Sequence, residues 1–172
     1  MAEHRIALTW SKGDAPFTYN TYPRNHTISF KNGAPVTFSA APAYKGDASK
    51  GDPEDMLVAS LSSCHMLSFL AIATKKKVIV ESYGDDAVGY LEEDGGKLWM
   101  VRVILRPRVV SSADAAMLNE IHHLAHEACF IANSVKTHVT VEPRQPNNRR
   151  PSSPVRPTSK RSSGAFAGRT PA

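Results

Sequence analysis

Chemistry in this chain of 172 residues centres on its two cysteines. Cys64 lies in SLSSCHMLSF, residues 60–69, and Cys129 in IHHLAHEACF, residues 121–130. Two cysteines are too few for a disulfide framework, which leaves reactivity, metal binding or chance. A free cysteine is often a small buried hydrophobe. Against that reading of Cys64, the residues Ser60, Ser62, Ser63, His65 and Ser68 crowd it with more polar groups than a pure core helix accepts. A reactive thiol must ionise. Cys64 lies about twelve residues past the helix start expected at Asp52, beyond the first turn over which the helix dipole acts, so a cation has to come from elsewhere. Arg24 and His26, in TYPRNHTISF, are two apart and share a side on an extended segment. The plainer reading of Arg24 is a surface loop residue.

Glu54 poses a distance problem. Ten residues of helix place it roughly 15 Å along the axis from Cys64 and some 80° around it. One continuous helix cannot join the two side chains, so either they work in separate places or Glu54 reaches the Cys64 of a second subunit. As a lone feature Glu54 is also an ordinary acid at a helix start. On the second helix His122, His126 and Cys129 fall at i, i+4 and i+7, a face able to bind zinc. Three ligands from one helix is unusual, and a solvated histidine face beside an unrelated cysteine is the simpler account. Alternatively Cys129 resolves Cys64: a sulfenic acid needs a second thiol to close a disulfide and escape further oxidation.

The elements that carry these residues read as strands, helix, strands, helix, strand, an α+β order without internal repeats. HRIALTWS alternates Ile6, Leu8 and Trp10 as a half-buried strand, and HTISF with NGAPVTFSA forms a hairpin at Asn32-Gly33. Asp52 caps a helix with Pro53 at its first position and Glu54 and Asp55 at its positive end. Met56, Leu57, Leu61, Leu67, Phe69, Leu70 and Ile72 leave this helix little polar face, so it is expected to be buried at a domain centre or under a partner chain. VIVESY, AVGYLEE and KLWMVRVILRP read as strands, the last two joined at Glu93-Asp94-Gly95-Gly96. Ser111 or Ser112 is expected to cap a second helix reaching about Asn133, and VKTHVTVEP closes the body with Val135, Thr137, Val139 and Val141 inward.

Charge divides the chain. Residues 143–172 hold seven Lys or Arg, no acid and half of the twelve prolines, whereas residues 1–142 hold 14 bases against 16 acids. The expected organisation is therefore a folded domain over 1–142 and a disordered basic Pro/Ser/Arg-rich tail over 143–172. Such a tail clings weakly to polyanions; a bland solvated extension is the preferred reading, and nucleic acid is not an expected partner. The charged N-terminus lacks a signal-peptide pattern, and the longest apolar run, Met66–Ala73, is short for a membrane span, so a cytoplasmic protein is expected.

Together DPEDMLVASLSSCHMLSFLAIAT, HEACFIANSVKTHVTVEP and YPRNHTISF closely resemble the OsmC/Ohr family of thiol peroxidases, the OsmC-like branch in particular, from about Trp10 to Glu142. The resemblance implies an OsmC-like fold: antiparallel sheets around a long central helix carrying Cys64, in an intertwined homodimer. It implies Cys64 as the peroxidatic and Cys129 as the resolving cysteine, with Arg24 stabilising the thiolate and Glu54 holding Arg24, the two meeting the cysteines across the dimer interface. It further implies an organic hydroperoxide substrate, hydrogen peroxide being reduced less efficiently, and an external dithiol reductant of lipoyl-protein or thioredoxin type. No metal, flavin or haem is required. From another class stands a non-catalytic thiol sensor or metal-binding protein using Cys64, Cys129, His122 and His126.

Overall fold

The computed structural model describes residues 2–31 and 33–145. The expected basic tail lies outside the described residues from 146 onward, as does Asn32. Strands β1 (Ile6–Thr9), β2 (His26–Phe30) and β3 (Val36–Phe38) form an antiparallel three-stranded sheet, with β2 and β3 as the expected hairpin. A single 3-10 turn, Pro42–Tyr44, leads to the central helix α1 (Pro53–Lys75). Strands β4 (Val80–Asp85) and β7 (Pro107–Ser111) pair with each other. Between them in sequence, β5 (Val88–Asp94) and β6 (Lys97–Leu105) form a hairpin. Its turn residues Gly95 and Gly96 both have positive φ, +61° and +76°, which selects glycine at each. Helix α2 (Ala115–Glu127) and a 3-10 turn, Ala132–Ser134, precede β8 (His138–Val141). β8 adds to β6 in parallel, the one departure from antiparallel pairing among the named strands.

Helix α1 starts where its sequence predicts. Asp55 N–H donates to Asp52 Oδ1 at 2.9 Å, and Asp52 N–H donates back to Asp55 Oδ2 at 3.4 Å, so the two acids cap reciprocally around Pro53. Its buried side chains are Leu61, His65, Phe69 and Ala73, a stripe at four-residue steps. The N-terminal half of this stripe packs with Val103, Leu105 and Val139 of β6 and β8. The C-terminal half packs with Val109 of β7 and with Ile121 and Ala125 of α2. At 23 residues α1 is long and apolar enough to cross a bilayer, more so than the run Met66–Ala73 suggests. Its packing against the β4–β7 and β5–β6–β8 sheets and against α2 makes it the core helix of the domain.

Several expectations are corrected. Within the single chain α1 is not buried all round: its face opposite the stripe is open and Leu67 is 60% exposed, so of the two covers expected for it the domain centre supplies only its own. β1 is not half-buried either, since Ile6 and Leu8 are 57% and 56% exposed. Both departures have one cause, an apolar surface that nothing among the described residues covers. The second helix is capped by Asp114, whose Oδ1 accepts from Met117 N–H at 2.9 Å, and not by Ser111 or Ser112. Those serines are occupied elsewhere: Ser112 Oγ accepts from Ile79 N–H, and Ser111 ends β7 while its Oγ accepts from Ala113 N–H. α2 also stops at Glu127, six residues before Asn133, as the N–H of Cys129 bonds to the His126 carbonyl and tightens the last turn. The strand read as VIVESY begins at Val80 and runs to Asp85. Folded contacts continue past Glu142, with Arg144 N–H donating to the Pro107 carbonyl at 2.8 Å.

Candidate functional site

The open face of α1 carries Cys64. Ser60, Ser63, Leu67, Ser68, Ala71 and Lys75 share that face, as the three- and four-residue steps require. Above them lies a segment that follows α2, from Ala128 to Ile131, and between the two is a cavity of about 640 Å³. Leu67 and Phe130, the latter 81% exposed, form apolar walls at its mouth.

Cys129 is buried, and its thiol meets Cys64. α2 has ended at Glu127, and in the turn that follows the N–H of Cys129 bonds to the His126 carbonyl at 3.2 Å. The backbone N–H groups of Ala132 and Ile131, at the start of the following 3-10 turn, face its sulfur. Burial pushes the Cys129 thiol up, and the adjoining Cys64 pushes the same way; the two N–H groups pull against this. Cys129 is therefore a neutral thiol held beside a half-exposed one, and neither is in a disulfide.

Arg24 and Glu54 stand apart from the thiols in the single chain. Arg24 lies two residues before β2, which begins at His26. Its guanidinium sits 3.6 Å above the Tyr22 ring and donates to the carbonyls of Tyr19, Tyr22 and Tyr44, at 2.5, 2.6 and 3.2 Å. Rather than decorating the loop, Arg24 organises it, and the ring of Trp10 beside Tyr22 and Phe17 completes the cluster. The His26 Nδ1–H donates to the Arg24 carbonyl at 3.0 Å. Glu54 lines a different cavity of about 550 Å³, with Ser62 and Asp85, on the far side of an α1 that is unbroken between Glu54 and Cys64. In that cavity Ser62 Oγ donates to Asp85 Oδ2 at 2.6 Å, and Arg106 N–H donates to Asp85 Oδ1 at 2.6 Å, which ties α1 to two strand ends.

The zinc face is not assembled. Among the described residues no cluster of three His, Cys, Asp or Glu side chains is arranged for a metal. His122 stacks in the core on His65, with ring centroids 5.4 Å apart and planes within 7°. His65 Nε2 and His122 Nδ1 are hydrogen-bonded at 3.1 Å. Burial, with repulsion from His122 and His126, lowers the His65 pKa to about 4; burial alone lowers that of His122 to about 4. Both rings are neutral at pH 7. Burial, then the charge of Asp85, pushes the Tyr83 phenol up beside them. This pair was not picked out from the sequence. Its signal was the 61-65-69-73 spacing, which puts His65 on the buried stripe, 100° from Cys64.

Residues 46–144 match the family described as OsmC-like protein. Among solved structures, an OsmC-like protein of unknown function from Vibrio cholerae O1 biovar eltor is 45% identical, with a TM-score of 0.78 over 84% of this chain and 100% of that one. An organic hydroperoxide resistance protein from Elizabethkingia anophelis is 15% identical, with a TM-score of 0.65 over 86% of this chain and 98% of that one. One described as organic hydroperoxide resistance protein OsmC, from Legionella pneumophila, is also 15% identical, with a TM-score of 0.64 over the same shares. The last two share the fold. Comparison with curated proteins finds no match.

Proposed function

This chain belongs to the OsmC-like protein family, and from that premise we propose that it is a thiol-dependent peroxidase that reduces organic hydroperoxides to alcohols. The observation that carries the reading is the meeting of two free thiols at an apolar-walled cavity, Cys64 half-exposed and Cys129 buried behind it. A thiol that has to meet a substrate needs access; one that has to meet only the first thiol does not.

Cys64 thiolate attacks the distal oxygen of the hydroperoxide. The O–O bond breaks, the alkoxide takes a proton and leaves as alcohol, and Cys64 keeps one oxygen as sulfenic acid. The Cys129 thiol then attacks that sulfur, forming the Cys64–Cys129 disulfide and releasing water. An external dithiol, of lipoyl-protein or thioredoxin type, reduces the disulfide by exchange. Leu67, Ile72, Phe130 and Ile131 line the approach and favour a peroxide with an organic substituent over hydrogen peroxide.

The active unit is a homodimer. The open face of α1 and the exposed β1–β2–β3 sheet are the surfaces that a second copy covers, and Arg24 and Glu54 reach the Cys64 of the other subunit. There the Arg24 guanidinium stabilises the thiolate and aligns the peroxide, and Glu54 holds the guanidinium. Serving Cys64 requires Arg24 to leave part of its present set of carbonyls, so the loop from Tyr19 to Arg24 moves when the site assembles.

The test is dithiol-dependent consumption of cumene hydroperoxide and of hydrogen peroxide by wild type, Cys64→Ser and Cys129→Ser. Turnover faster with cumene hydroperoxide, absent in Cys64→Ser, and limited in Cys129→Ser to about two equivalents, the first giving Cys64 sulfenic acid and the second its sulfinic acid, supports the reading. A folded, reduced wild type that consumes neither peroxide refutes it and leaves Cys64 as a sensor thiol.

A further inference from the structure

The steps above leave one buried polar pair without a part. His65 follows Cys64 directly on α1, and His122 lies two helical turns before Cys129. Both rings are buried, bonded to each other at 3.1 Å and enclosed by Phe69, whose ring centroid is 4.3 Å from that of His122. Only one other side-chain hydrogen bond links the region of α1 to α2 among the described residues, the exposed contact of Lys76 with Glu120 past the end of α1.

Apolar side chains let two helices slide over each other by fractions of an ångström at small cost. A buried hydrogen bond does not, because displacement leaves two nitrogens unpaired away from water. Cys129 follows α2 closely: its N–H bonds to the His126 carbonyl, and the N–H of Ala128 to that of Leu124. The register of α2 on α1 therefore sets where the Cys129 thiol lies relative to Cys64.

Resting on the peroxidase reading, we propose that the His65–His122 bond is a positioning clamp for resolution: it holds Cys129 against Cys64 so that the sulfenic acid is captured before a second peroxide reaches it. Two fates compete for that sulfenic acid. With the Cys129 thiol it gives disulfide and water. With a second hydroperoxide its sulfur takes another oxygen, giving sulfinic acid and an alcohol. Only the first depends on where Cys129 lies.

The experiment measures the ratio of Cys64 sulfinic acid to Cys64–Cys129 disulfide, by mass spectrometry, after a fixed dose of cumene hydroperoxide to the reduced full-length chain. His122→Phe keeps a stacked ring and removes the nitrogen; His122→Asn keeps a nitrogen near the Nδ1 position and removes the ring. The phenylalanine variant is expected to raise the ratio about tenfold, the cost of a small misplacement of a reacting group. The asparagine variant is expected to stay within about threefold of wild type, since the bond is retained. Should His122→Phe not fold, the paired chain His65→Phe/His122→Phe leaves no nitrogen unpaired and is expected to fold with the ratio raised. A wild-type ratio in either folded phenylalanine chain overturns the clamp. So does an asparagine variant as disturbed as phenylalanine, because the ring and not the bond then matters. If wild type forms neither product, the peroxidase reading itself fails; if it forms disulfide and no variant moves the ratio, only the clamp does.

Discussion

The buried histidine pair makes stability depend on acidity in a direction the structure dictates. Both rings have folded pKa values near 4, below the 6.5 of an unfolded histidine. Between those values the unfolded chain binds protons that the folded chain refuses. Stability is therefore complete above about pH 7, falls as pH drops through 6.5, and stops falling below 4. Lowering pH from 7.5 to 5.0 costs about 2 kcal/mol for each ring taken alone. Part of the His65 effect is repulsion from a protonated His122, so the pair together loses about 3 kcal/mol, somewhat less than twice the single value. The assay is urea unfolding of reduced protein at fixed concentration, at both pH values, for wild type and for His65→Phe/His122→Phe. Carboxylates and surface histidines titrate in both chains and cancel in the comparison. Wild type is expected to lose about 3 kcal/mol more than the double variant over this interval. Equal losses, within about 0.5 kcal/mol, would show that the rings are charged or solvated in the folded state and would refute the burial argument.

Three further outcomes are expected. Mixing Cys64→Ser chains with Glu54→Ala chains should restore about a quarter of wild-type peroxidase activity, because half of the dimers are mixed and each has one whole site; no recovery with mixed dimers confirmed by mass removes the cross-subunit assignment. Asp52→Ala loses the cap and its reciprocal bond with Asp55 and should destabilise by about 1 kcal/mol in the same urea assay. Gly89→Ala puts a methyl 2.3 Å from Met100 Cε and 2.6 Å from Val58 Cγ2, between α1 and the β5–β6 hairpin, and should cost about 1–3 kcal/mol, with the thermal midpoint falling accordingly.

The order of elements, the start of α1 and the β5–β6 turn were all legible in the sequence because each rests on a local signal: an acid before Pro53, paired glycines at 95 and 96, alternation along β8. So was the gap between Glu54 and Cys64, since helical rise is a constant. The end of α2 was not legible. His122, His126 and Cys129 have helical spacing, and nothing local announces that α2 ends at Glu127, two residues before Cys129. Nor was the burial of His65 and His122, because a polar ring on an apolar stripe reads as exposed until the partner that satisfies it comes from 57 residues away. Arg24 was misjudged for a related reason: three carbonyls and two aromatic rings converge on it from a loop without periodicity.

The sheet β1–β2–β3 has a consequence for how the protein is made. Residues 6–38 leave the ribosome before the rest of this domain, yet their strands show Ile6, Leu8, Phe30 and Val36 to water and, among the described residues, β1 and β3 are edge strands. An exposed apolar sheet with free edges is a template for strand addition by any neighbouring chain. On the pairing proposed above, the correct neighbour is another copy of the same chain, met only after synthesis. Each new molecule thus passes through an interval in which it is adhesive, and the length of that interval is set by its own concentration. At low expression it is long, and chaperones have the most to guard; at high expression, partner capture and aggregation compete for the same edges.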